Sequence, residues 1–128
     1  MQLRILIRSF LPVLFVLLLG AGAQAQTKLD PEATFKSMLD AVRASSYEQF
    51  MAHADATFKK RFTDKMFTEM TRQLGPKLQR GYTTTYLTSL NQGGYVAYVW
   101  KLSFPGGNDD FLMTLFTKND AVSGLVTR

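Results

Sequence analysis

The chain has 128 residues, no cysteine, and 15 Lys/Arg against 10 Asp/Glu, for a formal net charge of +5. A length of that order holds one domain. The missing cysteine excludes disulfides, a cysteine nucleophile and lipid attachment through a lipobox cysteine, so the fold must stand on burial alone.

Arg4 and Arg8 make a short positive start, followed by an apolar run of ten residues, Phe10 to Leu19. Ala23-Gln24-Ala25 then has the small-x-small form that signal peptidase accepts. The order predicts a signal peptide over 1–25, cut after Ala25, a short mature tail at 26–29 and one domain over 30–128. The alternative is an uncleaved anchor, but a spanning helix needs roughly 20 apolar residues. The expected location is therefore periplasmic or secreted, with no stable membrane span after cleavage. Losing Arg4 and Arg8 leaves 13 basic against 10 acidic residues. The balance is uneven. Residues 59–80 carry Lys59, Lys60, Arg61, Lys65, Arg72, Lys77 and Arg80 against only Asp64 and Glu69. Such a stretch is either a solvated helix face or a field that draws an anionic partner.

Asp30-Pro31 is a helix start, with Asp30 as cap and Pro31 at the first helical position. Phe35, Met38, Leu39 and Val42 then form one apolar stripe, and the helix is expected to end near Ala44. A short second helix is predicted from Ser45 as cap with Glu48 as its reciprocal partner, carrying Tyr47, Phe50, Met51 and Ala54. The stretch from Ala54 to Phe62 is less regular and reads as a turn or loose helical segment. Thr63 caps a third helix, with Phe62 and Phe67 as a hydrophobic staple and Phe67, Met70 and Leu74 facing inward. Gly75-Pro76 is expected to end it, giving a span of about 64–74.

After Gly81 the apolar period drops from 3.6 to 2. Strands are predicted over 82–90, 95–104 and 111–117, with a short last one over 122–127. The turns between them fall at Asn91–Gly94, Pro105–Asp109 and Lys118–Asp120. Connections this short imply an antiparallel meander. The expected fold class is α+β, with three N-terminal helices packed on one face of a sheet of three or four strands. Val96, Tyr98, Trp100, Leu102 and Phe104 share the bulkier face and should meet the helices. Leu112 and Phe116 leave the other face partly apolar, which a homodimer through the sheet would cover.

This layout resembles the NTF2-like (SnoaL-like) superfamily, and more narrowly its small secreted bacterial members of unknown function. The segments that carry the resemblance are FKSMLDAVRASSYEQFMAHAD, FTDKMFTEMTRQLGP, GGYVAYVWKLSF and LMTLFTKNDAVSGLVTR, together spanning about 30–127. The resemblance implies a cone, in which a curved sheet wraps the helices around a pocket. It also implies a choice of roles. Some members are isomerases, dehydratases or cyclases of hydrophobic ring compounds, while others bind ligands or proteins, or dimerise through the sheet. Fold alone does not choose among these. Catalytic relatives place acid–base side chains, commonly Asp and His, inside the cone, whereas the inward positions here are apolar.

Little in the sequence carries chemistry. His53 is the only histidine and the one weak catalytic candidate, with Asp55 or Tyr98 as helpers. Two residues apart, His53 and Asp55 do not share a helix face. Asp109-Asp110 lacks the ordered spacing of a calcium loop, and no metal site or cofactor is expected. Export and the lack of an open aromatic platform argue against nucleic acid; an anionic phospholipid or cell-wall polymer suits a basic exported surface better. The expected function is non-catalytic binding of a small hydrophobic ligand or a protein partner. The rivals are a small isomerase-, dehydratase- or cyclase-like enzyme and a structural homodimer. Tyr98, Trp100, Phe35, Phe50 and Met113 are the candidate ligand-binding residues, although the aromatics among them are equally suited to a core.

Overall fold

The computed structural model describes residues 28–128, so the expected signal peptide and its cleavage point lie outside the described residues. The first helix, α1, spans Pro31–Arg43. Asp30 Oδ1 accepts from the Glu32 and Ala33 amides at 3.0 and 3.2 Å, which satisfies two of the four free donors at the helix start. At the other end Ser46 N–H donates to Ala41 O and Ser45 N–H to Val42 O. That is a Schellman closure, and it forces Ser45 into the left-handed region at φ 53°. Ser45 therefore ends α1 and cannot start the next helix. Ser46 caps α2, Tyr47–Phe50, in its place, accepting from the Gln49 amide.

The segment expected to be loose contains a defined helix, α3, Ala56–Arg61, capped by Asp55. The longest helix, α4, spans Asp64–Gln79 with Thr63 as its cap. It runs five residues past the predicted end. Gly75 has ordinary helical φ, and Pro76 sits inside the helix. A residue before proline normally avoids the helical region because its Cβ meets the proline ring; Gly75 has no Cβ. The continuing turn also buries Leu78 beside Leu74. Gly81, at φ 101°, is the residue that ends α4, and its N–H donates to Leu78 O.

Four strands follow: β1, Thr83–Gln92; β2, Tyr95–Ser103; β3, Phe111–Lys118; and β4, Ala121–Thr127. They form an antiparallel meander in the order β1-β2-β3-β4. Gly93 and Gly94 both take positive φ in the first hairpin, as do Asn119 and Asp120 in the last, matching the tight turns that suit twisted strands. Register breaks between Tyr86 and Thr88 in β1, and between Phe116 and Thr117 in β3 against β4.

The architecture is α+β, with the helices packed on one face of the four-stranded sheet. Trp100, Leu102, Met113, Leu115 and Val122 are buried on the helix side of the sheet. Phe35 of α1 stacks on Trp100 with ring centroids 4.2 Å apart and planes 11° from parallel. A second aromatic group centres on Phe50, whose ring lies 5.3 Å from Phe62 and 5.1 Å from Phe67. The two staple residues thus meet through Phe50. The start of β4 is tied back to the helices. Val122 N–H donates to His53 O, and Asp55 N–H donates to Val122 O.

The opposite face of the sheet has no cover among the described residues. Leu90, Leu112 and Val126 are exposed on it, beside Val99 and Phe116. β1 is exposed along nearly its whole length.

Candidate functional site

The site is built on the exposed side of α4. Met66, Met70 and Leu74 recur every four residues and form one apolar ridge. Met66 is 50% exposed, although the core of this small domain would readily take such a side chain. Opposite the ridge stand Phe111, at the start of β3, and Thr127, at the end of β4. Between them lies a groove of about 530 Å³. That volume falls within the usual range for small-molecule pockets, roughly 300–1,000 Å³.

Ionisable side chains sit on the groove's rim: Lys65, Glu69 and Lys77. Glu69 is already engaged. Hydrogen bonds from Arg72 and then Gln73 lower its pKa to about 2. Its Oε1 lies 2.6 Å from Arg72 Nη2. Lys77 Nζ stands 4.7 Å above the centre of the Phe111 ring, within cation–π range. On the far side of that contact is a second hollow of about 210 Å³, which Lys77 and Phe111 also line. Arg80, Phe104 and the turn over 105–109 complete it. Phe104 packs edge-on against Phe111 at 5.7 Å, so one aromatic pair walls the second hollow.

His53 is exposed, and its backbone carbonyl serves the β4 tie. The Asp55 carboxylate accepts from the Phe58 amide at 2.7 Å and from Ser123 Oγ at 2.7 Å. No His53–Asp55 hydrogen bond forms among the described residues, and Asp55 works as a helix cap. Phe35, Phe50, Trp100 and Met113 are all buried in the packed core, and Tyr98 is half-buried 6.2 Å from Trp100. None of the five lines either hollow. No group of three or more potential metal ligands occurs among the described residues, and no described helix is long and apolar enough to cross a membrane.

The residues that do line the groove were only partly visible in sequence. Met70 and Leu74 read as inward-facing, and they do pack with the core as well as line the groove; Lys77 read only as part of the basic stretch over 59–80. The four-residue repeat of Met66, Met70 and Leu74 is the signal that could have found the ridge.

No family model matches the chain, and no curated protein matches it. A solved structure of an NTF2-like protein of unknown function from Cytophaga hutchinsonii is remotely similar, at 7% sequence identity and a TM-score of 0.43. That match covers 80% of this chain and 92% of the other.

Proposed function

We propose that this chain is an exported binding domain of NTF2-like form, whose groove beside α4 takes a small apolar ligand without turning it over. The observation that carries the reading is the Met66–Met70–Leu74 ridge facing Phe111 across about 530 Å³. Methionine-rich walls adapt their shape to an apolar guest. The rim supports binding over catalysis. A general base works best with a pKa near the operating pH, and Glu69, at about 2, is far from it.

Calorimetric titration with 1-decanol, a neutral apolar probe, tests the groove. Saturable binding is expected, weakened at least about tenfold by Met70→Glu, which puts a charge into the apolar wall. Unaltered binding in that variant would place the ligand elsewhere. Export is tested separately: the protein recovered from outside the cytoplasm should begin at Gln26.

A second reading concerns the uncovered sheet face. The exposed Leu90, Leu112 and Val126 favour a homodimer formed through it. This surface and the α4 groove lie on opposite sides of the sheet, so the two readings are compatible.

A further inference from the structure

We infer that the ligand is a free single-chain amphiphile with an anionic head, its tail along the Met66–Leu74 ridge and its head held by Lys77 and Arg80. This rests on the groove reading above and adds the chemistry of the guest. Three observations carry it. The first is shape. From Met66 to Lys77 the groove's wall advances eleven residues along α4, about 16 Å at 1.5 Å per residue, so the groove is elongated in the way a single alkyl chain is. The second is the change of character along it. The apolar groove ends at the Lys77–Phe111 contact, and the smaller hollow with Arg80 begins there.

The third is charge. Among the described residues, no carboxylate lies within 4.0 Å of the Lys65, Lys77 or Arg80 cations. Glu69, the acid beside the apolar groove, is neutralised by Arg72. Asp109, the acid of the second hollow, stands across it on the turn between β2 and β3. Two cations without a carboxylate partner at the end of an apolar channel match a carboxylate, sulfate or phosphate head, because hydrogen bonds to charged groups are the stronger kind. A concave channel suits one dissolved chain better than a bilayer surface, for which apolar groups would need to protrude.

The test compares three ten-carbon probes below their aggregation limits: decanoate, 1-decanol and decyltrimethylammonium. Decanoate should bind roughly tenfold or more tightly than decanol, the cation most weakly, and the advantage of decanoate should shrink with added salt. Lys77→Gln and Arg80→Gln, both at exposed positions, should each erode that advantage, and Arg80→Gln, at a residue that does not line the apolar groove, should leave decanol affinity in place. Equal affinity for decanoate and decanol would overturn the anionic head yet leave the apolar groove standing. No binding of any probe would remove the groove reading and this inference together. Decanoate binding indifferent to both substitutions would overturn the assignment of the head. Sedimentation of the protein with phosphatidylglycerol vesicles, relieved by neither substitution, would point to a membrane and overturn the free amphiphile.

Discussion

Asp55 joins two parts of the chain through one carboxylate. It caps α3 through the Phe58 amide and accepts from Ser123 of β4. Burial pushes its pKa up, but the hydrogen bonds from Phe58, Ser123 and Thr57, with the Lys118 charge, outweigh that and leave it below the ordinary 3.8. A depressed carboxylate pKa contributes stability that is complete above the unfolded value and is lost as pH falls through the folded one. Wild type should therefore exceed Asp55→Asn in urea midpoint at pH 7, and the gap should close below about pH 4. A gap of constant size down to pH 2 would show that the charge on Asp55 plays no part. Loss of the whole cap in Asp55→Ala should cost about 0.5–2 kcal/mol at pH 7. Phe67 is a larger case. Its ring is 3% exposed and meets both Phe50 and Tyr47, so Phe67→Ala should cost about 3–5 kcal/mol by equilibrium denaturation. The burial of Phe67 is legible in sequence because it falls on a helical stripe. The contact of Asp55 with Ser123 is not, because the two are 68 residues apart.

Among the elements, α4 separates what sequence reveals from what it hides. Its start at Thr63 is local chemistry and reads correctly. Its end is not local. Gly75-Pro76 has the form of a stop, and only the burial of Leu78 carries the helix through it. Two substitutions distinguish the stop from the continuation. Pro76 is exposed and removes a donor from the helix interior. Pro76→Ala should therefore stabilise the protein, by up to about 3 kcal/mol, whereas at a true terminus it would be near neutral. Gly81→Ala should destabilise by about 1–2 kcal/mol, the cost of a side chain in the left-handed region. Nothing lies within 4 Å of the position its Cβ would take, so that cost is conformational and not a clash. Thermal denaturation of the two variants beside wild type reads both signs. The strands were legible to within two residues at each end because alternation and turn residues agree there. The register break at Leu87 in β1 was not, since the run TTTYLTSL holds only residues that suit either face.

For the whole molecule, the open question is what becomes of the second sheet face. Neighbours in register place Leu90, Ala97, Phe116 and Gly124 in one row across all four strands. Thr88, Val99, Thr114 and Val126 make the next row. The Phe116 ring lies against Gly124, 3.8 Å from where a Cβ would be, so an aromatic ring covers the centre of the face. Lys101, held near Asp110, marks one margin. An apolar centre inside a polar margin is the pattern that the proposed homodimer would use. A twofold dimer uses the same patch on both copies, so a single new charge appears twice across the interface, where like charges repel. Phe116→Glu should therefore give the monomer mass in sedimentation equilibrium at concentrations where wild type runs at twice that mass. Lys60→Glu, at an exposed position of α3 on the helix side of the sheet, should leave the dimer intact. The experiment also separates association from folding, because far-UV circular dichroism of Phe116→Glu should match that of wild type. Wild type at monomer mass up to about 100 µM would exclude the dimer, since a stable interface of standard size buries about 800 Å² per partner and holds well below that concentration.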